Sequence, residues 1–399
     1  MTDWSTPRVA PMAMRREATL RSRALDRESP LRRLDWVLLL AVAALVALGG
    51  LLVWSATRQK MLGAGLDPQA FLKRHLVNAA IGLVLASVAA LVDYRALRAY
   101  APFVYGASCL GLVAVLSPLG STINGAHSWI VLPAGFQVQP SEFAKVAVVV
   151  GMAMVLAEKR DAEDVPRSID VVVVLALAAL PMALIMLQPD LGTTVVMVFI
   201  ILGVLSVAGA APKWICGLLI AGVVVCAGAV QFGVLNQYQV NRFAAFTNPQ
   251  LDPRGVGYNT KQARIAIGSG GVTGKGLFKG SQTNGQFIPE QQTDFVFTVA
   301  GEELGLVGAG GVIALLGLVL WRGLGIARAA VDPFGRLVAA GIVSWFAFQS
   351  FVNIGMTLGI MPVTGLPLPF VSYGGSSMFA NLIAIGLLQN VHLRTRAQR

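Results

Sequence analysis

Long apolar runs, separated by short polar segments, dominate the chain from residue 36 onward. The hydrocarbon core of a bilayer is about 30 Å thick, so a membrane-spanning helix needs roughly 20 mostly apolar residues. The runs predict ten such helices, at residues 36–57, 76–92, 101–118, 141–157, 169–187, 191–209, 213–234, 304–321, 336–361 and 371–391. The expected fold is therefore all-α, with a ten-helix integral membrane domain over residues 36–391.

Lysine and arginine are distributed unevenly over the connections between these helices. If the N-terminus is cytoplasmic, the inner segments hold 20 of these residues and the outer segments hold 10, with Lys145 inside a span. Because the inner loops of membrane proteins carry the excess of positive charge, we expect both termini in the cytoplasm. Residues 1–35 then form a basic, disordered tail that anionic lipid attracts, and residues 392–399 form a second tail.

One connection is much longer than the others. Residues 235–303 separate the seventh and eighth spans, and the predicted topology places them outside the cytoplasm. A loop of this length is uncommon in a compact domain unless it is functional or disordered. Within it, residues 255–276 mix apolar and basic side chains, which favours an amphipathic stretch lying on the membrane surface.

The composition supports a membrane protein and excludes two other classes. Hydrophobic residues make up 55% of the chain and charged residues only 13%, whereas soluble domains are about 25% charged. The mean hydropathy of +0.69 also excludes disorder over the whole length. In a soluble chain the net charge of +11 would suggest a nucleic-acid partner. Here the uneven distribution of Lys and Arg between the two sides of the membrane explains the charge, so we expect no nucleic-acid partner. The three cysteines have no spacing typical of a disulfide framework or a zinc site.

Ionisable side chains at membrane depth are costly, so each one suggests a function. Glu142 and Lys145 lie at the outer start of the fourth span, where Pro140 and Ser141 predict the first turn of a helix. A spacing of three places both charges on one face. They form either a self-neutralising pair that helps to cap the helix, or a site in which Lys145 binds an anionic headgroup and Glu142 positions it or a metal ion.

Two aspartates stand at other outer boundaries. Asp190 follows Pro189 in a tight turn and is expected to be the N-cap of the sixth span. Asp294 stands where a polar loop becomes apolar, and we expect it to lead a short interfacial or re-entrant helix that ends at Glu302 and Glu303. In the alternative interpretation, Thr293 or Asp294 only caps that helix.

Two further outer segments are irregular. Residues 268–276 are rich in glycine but fail the pattern of a phosphate-binding loop, because Ser269 and Gly276 occupy its first Gly and last Ser or Thr positions. Bare amides together with Lys275 still suit a diphosphate. Residues 362–377 enter the tenth span, and such broken backbone is tolerated at membrane depth only against protein or a wet cavity. We expect these loops to converge on a cavity.

Four segments, taken in chain order, resemble the motifs of the SEDS family, which is named for shape, elongation, division and sporulation. The segments are residues 139–145, 258–276, 289–305 and 362–377. The resemblance extends over residues 34–391. Residues 287–290 and 353–356 are more similar to RodA, the elongation branch of the family, than to FtsW, the division branch.

The resemblance implies a peptidoglycan glycosyltransferase in the cytoplasmic membrane of a bacterium. Such an enzyme polymerises lipid II at the outer leaflet and works with a class B penicillin-binding protein transpeptidase and other membrane proteins of the elongation complex. The family's essential acid in its Thr-Asp-Phe motif falls on Asp294, and its Glu and Lys of the fourth helix fall on Glu142 and Lys145.

Glycosyl transfer from a sugar diphosphate needs a base for the attacking hydroxyl and positive charge for the leaving diphosphate. We expect Asp294 to be that base. The candidate cations for the undecaprenyl diphosphate group are Lys145, Arg242 and Lys275. Glu142 and Glu303 are expected to orient Lys145 or to hold a divalent cation, Mg or Mn, with Glu142 as the first candidate ligand.

Two other functions fit a ten-helix protein with charge at membrane depth. A lipid II flippase would move the same lipid without making a bond, and a scaffold would only recruit the transpeptidase. The acids cluster near the outer ends of the spans, whereas a flippase needs polar side chains through the whole depth of the membrane. The sequence therefore favours the enzyme.

Overall fold

The computed structural model describes residues 33–123, 126–131, 136–158, 165–231, 246 and 255–398. Residues Asp35–Arg399 form one compact unit, to which the description below refers. The described part contains thirteen helices, namely α1 (Trp36–Gly63), α2 (Ala70–Leu91), α3 (Tyr94–Leu116), α4 (Pro140–Ala157), α5 (Ser168–Met186), α6 (Leu191–Val207), α7 (Pro212–Gln231), α8 (Val256–Gly270), α9 (Ser281–Asn284), α10 (Val296–Glu303), α11 (Gly305–Ala329), α12 (Pro333–Leu358) and α13 (Gly375–Gln398).

A helix lies at each of the ten predicted spans. Seven helices of the described chain are long and apolar enough to cross a membrane: α1 to α5, α11 and α12. Helices α6 and α7 are apolar but shorter in their apolar part, and α13 coincides with the tenth predicted span. The protein is therefore mostly helical and membrane-embedded, while the number of ten crossings and their orientation remain predictions.

The ends of the last two spans differ from the prediction. Helix α12 ends at Leu358 because Gly359 takes the left-handed conformation with φ of 76°. Helix α13 begins at Gly375, four residues late, because the amides of Val371 and Ser372 bond back to the Leu368 carbonyl in a turn. It then continues to Gln398, so the predicted tail at 392–399 is helical as far as residue 398.

A small antiparallel sheet corrects the all-α prediction. Strands β1 (Gly120–Ile123), β2 (Ala126–Val131) and β3 (Gln137–Val138) lie in that order between α3 and α4. Its last strand leads directly into α4, and the Gln139 amide donates to Ser376 Oγ at 2.9 Å. The sheet thus fixes the start of α4 against the start of α13. It was missed because two to six residues per strand are too few for a clear alternating pattern.

Helices α4 and α12 form the centre of the bundle. Helix α4 packs against α3, α5, α6, α12 and α13, and most of its residues are buried. A helix that is apolar on all sides is expected in such a central position. Elsewhere α2 and α13 approach closely, since a Cβ on Gly386 would overlap the Ala86 carbonyl. Small residues allow this kind of helix contact within a membrane.

Asp35 joins three helices at the end of the bundle that is predicted to be cytoplasmic. Its Oδ1 accepts the Leu38 amide at 3.1 Å and so caps α1. Its Oδ2 accepts Arg322 Nη2 of α11 at 2.6 Å, and its backbone exchanges two 3.0 Å bonds with the Gln389 side chain of α13. The start of α1 is therefore held by an ion pair and an amide from distant parts of the chain.

Helix α8 lies in the long connection and has two different faces. Ala263 and Ala266 are buried against a cluster that includes Phe295 and Met356. Ile265 is exposed on the opposite side. The amphipathic helix predicted for residues 255–276 thus exists over Val256–Gly270, with one face packed on protein. Its contact with the membrane surface remains a prediction.

Candidate active site

The first turn of α4 holds the predicted charge pair. Pro140 occupies the first helical position, where its missing amide hydrogen costs nothing, and Glu142 lies in the first turn, where the helix dipole favours a negative charge. Lys145 Nζ donates to Glu142 Oε1 at 2.8 Å. The prediction that both charges lie on one face of the helix is therefore confirmed.

The pair is sealed from solvent. The side chain of Lys145 has 0% exposure and that of Glu142 has 2%. Lys145 Nζ also donates to Gln349 Oε1 at 3.0 Å and lies 4.6 Å from the centre of the Trp345 ring. In the described chain, Glu142 Oε2 has no hydrogen-bond partner. The attraction within a buried ion pair offsets the free energy of desolvation only when further contacts are made. Gln349 and Trp345 make these contacts and are therefore part of the same site.

Two amide side chains on α12 connect this pair to the segments that precede α10 and α13. Gln349 accepts Trp345 Nε1 at 2.6 Å and donates to the Pro367 carbonyl at 2.8 Å. Asn353, one helical turn later, donates to the carbonyls of Leu366 at 2.7 Å and Asp294 at 2.9 Å. Neither amide was predicted, because only ionisable groups were taken as candidates for the site. Polar amides four residues apart within an apolar span were the available signal.

Asp294 lies in a turn just before α10. Its amide donates to the Glu290 carbonyl at 3.1 Å, and its side chain is half-buried. Helix α10 begins at Val296, and its N-cap is Phe295, which makes no side-chain cap. The expected short helix that ends at Glu302 and Glu303 is therefore confirmed. The alternative, in which Thr293 or Asp294 occupies the N-cap, is wrong.

Glu302 anchors the loop that precedes α10. It accepts hydrogen bonds from Lys275 Nζ (2.9 Å), the amides of Gln282 and Thr283 (both 2.9 Å) and Thr283 Oγ1 (2.8 Å). Burial raises the pKa of this carboxyl, but the hydrogen bonds together outweigh burial and hold the pKa below its ordinary value. Lys275 is thus engaged in an ion pair, and binding a diphosphate would require that pair to open.

Glu303 points to a different helix from the one expected. Its Oε1 accepts Ser55 Oγ of α1 at 2.7 Å and the Gly280 amide at 3.4 Å. Burial raises the pKa of this carboxyl above its ordinary value, although these hydrogen bonds oppose the shift. The predicted contact with Lys145 is not among the hydrogen bonds of the described residues. In this conformation Glu303 joins α1 to the outer loop.

The glycine-rich turn uses its amides internally. The amides of Lys275 and Gly276 donate to the carbonyls of Glu302 and Glu303 at 3.0 and 2.9 Å. Gly274 has φ of 79°, and a Cβ there would overlap the Glu303 carbonyl. The amides of Lys275 and Gly276 are therefore engaged with the end of α10 in this structure, and binding of a diphosphate by the glycine-rich turn remains a prediction.

Asp190 has the structural role that was predicted. Its Oδ1 accepts the Thr193 amide at 3.0 Å, which makes it the N-cap of α6. Its Oδ2 accepts Thr193 Oγ1 at 2.8 Å and Gln139 Nε2 at 3.3 Å. Asp190 thus also joins the start of α6 to the start of α4, next to the charge pair.

A family model described as cell cycle protein, covering FtsW, RodA and SpoVE, matches residues 35–397. The chain belongs to this family, the SEDS proteins. It is therefore a multi-spanning protein of the bacterial cytoplasmic membrane. The residues that the resemblance selected, Glu142, Lys145 and Asp294, are linked in this SEDS protein by the two amides of α12.

Named relatives and a solved structure extend over almost the whole chain. The probable peptidoglycan glycosyltransferase FtsW of Geobacter metallireducens is 38% identical over 368 residues, which are 92% of this chain and 96% of that protein. The peptidoglycan glycosyltransferase MrdB of Escherichia coli K12 is 37% identical over 360 residues, 90% and 93% of the two chains. A chain from a structure on the coordination of polymerization and crosslinking by a peptidoglycan synthase complex has a TM-score of 0.76 at 36% identity, covering 92% and 99%.

Two predicted features of the SEDS site have no support in the geometry. Arg242, a predicted diphosphate ligand, lies outside the described residues. No group of three His, Cys, Asp or Glu in the described chain is placed to hold a metal ion. At Glu142 a single carboxylate already binds an ammonium, which would repel a divalent cation. The Mg or Mn expectation therefore does not fit these residues, and no step below relies on it.

Proposed function

We propose that this chain is a peptidoglycan glycosyltransferase that polymerises lipid II at the outer leaflet. One observation carries the proposal: a single face of α12 holds both the buried Glu142–Lys145 pair and the backbone of Asp294. The enzyme names of the relatives from Geobacter metallireducens and Escherichia coli support the same reaction.

The reaction is one inverting displacement. The 4-hydroxyl oxygen of the acceptor sugar attacks C1 of the donor sugar and forms the new glycosidic bond. The bond between C1 and the diphosphate oxygen breaks, and undecaprenyl diphosphate leaves with the electron pair. The proton of the attacking hydroxyl passes to a base. The protein therefore has to supply a base on one side of C1 and positive charge on the other.

Asp294 is the proposed base. It lies in the outer loop immediately before the fully buried residues of α10, and its side chain is half-buried. A positioned base contributes on the order of 10²- to 10⁴-fold to the rate of such a reaction.

Lys145 is the proposed cation for the leaving diphosphate. Its ammonium has no exposed surface in this conformation, so the donor diphosphate reaches it only when the outer segments around α4 and α12 open. Glu142 holds the ammonium in position while the site is closed. A phosphate oxygen then takes a position near the ammonium in a region of low dielectric, where the attraction is strongest.

The test is polymerisation of lipid II by the purified chain in detergent, with and without a co-expressed class B transpeptidase, read on a gel that separates glycan chains. We expect glycan chains from the wild type and at least about a hundredfold slower synthesis from Asp294→Asn. The matched control is Asp67→Asn, an exposed aspartate of the α1–α2 connection. Full activity of Asp294→Asn would disprove the base assignment.

The same preparation tests the rival functions. Reconstituted vesicles with a fluorescent lipid II report movement between leaflets, and the gel reports bond formation. Glycan chains support the transferase, whereas moved lipid without chains would identify a flippase. Neither product, together with stable binding of the transpeptidase, would identify a scaffold.

We further propose a role in elongation together with a class B penicillin-binding protein and other membrane proteins of the elongation complex. The residues at 287–290 and 353–356 support the elongation branch. The relatives named FtsW and MrdB are equally similar at 38% and 37%, so identity does not decide between the branches. Complementation decides: we expect the gene to restore rod shape to a strain depleted of its elongation transferase. Rescue of a division-depleted strain alone would contradict this role.

A further inference from the structure

We propose that Gln349 and Asn353 are positioning residues of the transfer reaction, Gln349 acting through Lys145 and Asn353 acting through Asp294. This inference rests on the proposed function, in which Lys145 binds the diphosphate and Asp294 is the base. Neither amide carries charge, and both are 0% exposed in the C-terminal half of α12. Buried polar groups are generally hydrogen-bonded, so the bonds of the Gln349 amide and of Asn353 Nδ2 show what these side chains hold; Asn353 Oδ1 has no hydrogen-bond partner in the described chain.

The orientation of the Gln349 amide is determined by its neighbours. Its oxygen accepts from the Lys145 ammonium and the Trp345 indole, while its nitrogen donates to the Pro367 carbonyl. Rotating the amide by half a turn would place an NH₂ group against two donors and an oxygen against a carbonyl. The network therefore permits one orientation only.

This orientation controls the direction of the Lys145 ammonium. Three N–H groups are present, and two of them donate, to Glu142 Oε1 and Gln349 Oε1. Because the Gln349 oxygen is neutral, it directs the ammonium without cancelling its charge, as a second carboxylate would. One N–H is left with no oxygen acceptor among the described residues. The ammonium can therefore take one anionic oxygen without losing either existing bond.

Asn353 holds the other half of the site. Both bonds of its Nδ2 go to backbone carbonyls, those of Leu366 and Asp294. The bond at residue 294 acts on the main chain directly at the proposed base. It links a loop residue to a buried face of α12. Positioning of this kind matters because small misplacements of a catalytic group cost large factors in rate.

The two amides are coupled by geometry. Residues four apart lie on one face of a helix, about 6 Å apart along its axis. Their acceptors Leu366 and Pro367 are consecutive, so a single segment passes both amides. Helix α12 and residues 366–367 thus hold the cation and the base at a fixed position relative to each other.

The experiment compares kinetic constants for lipid II among variants of the full chain with its transpeptidase. Gln349→Met keeps an unbranched side chain of similar length but cannot accept from Lys145, and we expect KM to rise about tenfold or more with a smaller change in kcat. Gln349→Glu keeps an acceptor for Lys145 but adds the second carboxylate that cancels the charge of the ammonium, so we expect its KM to stay raised. Asn353→Leu removes both donors, and we expect kcat to fall about tenfold or more with a smaller change in KM.

Ser350→Ala is the matched control. Ser350 lies between the two amides on α12, is 5% exposed, and its Oγ has no hydrogen-bond partner in the described chain. Its two constants should stay within about twofold of the wild type. If Gln349→Met and Asn353→Leu changed KM and kcat in the same proportion, or behaved like Ser350→Ala, the proposal would be overturned.

A second readout separates this proposal from the proposed function and from misfolding. Hydrogen exchange of the peptide at residues 290–296 should be faster in Asn353→Leu than in Ser350→Ala, at matched thermal stability. If the wild type makes no glycan, the transferase assignment fails, and the exchange result still decides whether Asn353 holds residue 294. Unchanged exchange would overturn the role of Asn353 even in an active enzyme.

Discussion

Lys145 is one of the largest fully buried side chains of the protein, together with Trp345. Burying an ammonium is unfavourable unless a counter-charge and hydrogen bonds accompany it. Glu142, Gln349 and the Trp345 ring provide these contacts from two helices. Such an arrangement is not needed for stability, because apolar residues of the same volume often stabilise a protein as well or better. The proposed binding of the leaving diphosphate by Lys145 gives a reason for a cation at this position.

Removing one partner of this pair should cost more stability than removing both. Lys145→Met leaves the buried Glu142 carboxylate without a counter-charge, a loss on the order of 3–5 kcal/mol in the free energy of unfolding. The double variant Lys145→Met with Glu142→Gln is neutral at both positions and should recover most of that loss. Thermal unfolding in detergent measures both. Equal melting of the single and double variants would contradict a buried charged pair.

The adjacent carboxylates Glu302 and Glu303 should respond to pH in opposite directions. Burial raises the pKa of Glu303 above 4.5, so the folded state binds more protons than the unfolded state, and stability falls as the pH rises from 4.5 through the raised pKa. Hydrogen bonds outweigh burial and lower the pKa of Glu302, so its stabilising contribution is present above 4.5 and is lost as the pH falls through the lowered pKa.

Melting temperatures measured across pH check these opposite signs. Relative to the wild type, Glu303→Gln should become more stable as the pH rises above 4.5. Glu302→Gln should show its largest deficit near neutral pH and a smaller deficit in acid. Each variant serves as the control for the other. Parallel pH profiles would show that the two carboxyls do not differ in environment.

At the scale of elements, the short helix α10 attaches the long connection before it to the helix bundle. All eight of its residues are buried, and it packs against α1, α8, α11 and α12. The amides of the glycine-rich turn after α8 donate to the last two carbonyls of α10, those of Glu302 and Glu303. The carboxylates of the same two residues accept amides of the loop that follows this turn. The loop is therefore packed against the bundle in this region. Asp294 lies just before α10 and is attached to this packed part.

Adding one methyl group at Gly274 should disturb this junction. The left-handed φ of 79° and the overlap of a Cβ with the Glu303 carbonyl predict a loss of about 1–3 kcal/mol for Gly274→Ala. Gly268 is the control, because it lies within helix α8 and a Cβ there meets nothing within 4 Å. Gly268→Ala should be neutral or stabilising by up to about 1 kcal/mol. Equal melting of the two variants would contradict the packed turn.

At the scale of the whole molecule, charge distribution predicts the orientation in the membrane. The predicted inner segments hold 20 Lys and Arg and the outer segments hold 10. On this basis the connection between α1 and α2 faces outward, and the residues before α5 face the cytoplasm. The Asp35–Arg322 pair then closes the cytoplasmic end of the bundle, and the proposed active site lies at the opposite end.

Cysteine labelling checks this orientation. In a background in which Cys109, Cys216 and Cys226 are replaced by alanine, Asp67→Cys should react with a membrane-impermeant maleimide in intact cells. Val165→Cys should react only after the membrane is permeabilised. Residue 165 is exposed, and the Asp67–Lys73 ion pair is a surface pair whose loss costs little. The reverse labelling pattern would invert the topology and place Asp294 in the cytoplasm.

Long-range partners were beyond prediction from the sequence. Lys275 was expected to bind a diphosphate, but it forms an ion pair with Glu302, 27 positions away. Glu303 was expected at Lys145, but Ser55 of the first helix binds it. Each outcome depends on which helices become neighbours. A list of polar residues holds no such information, because hydrogen bonds form only where packing brings donor and acceptor within about 3 Å.

The sequence by itself determined the features that depend on neighbours a few positions apart. These are the helices at the ten apolar runs, the Glu142–Lys145 pair, the Asp190 cap and the short helix after Asp294. Apolar periodicity and spacings of three or four residues act within one helix, so they can be seen in the chain. Only the tertiary structure decided that Gln349 and Asn353 join the cation to the base, because that link depends on how α4, α12 and the outer loops pack together.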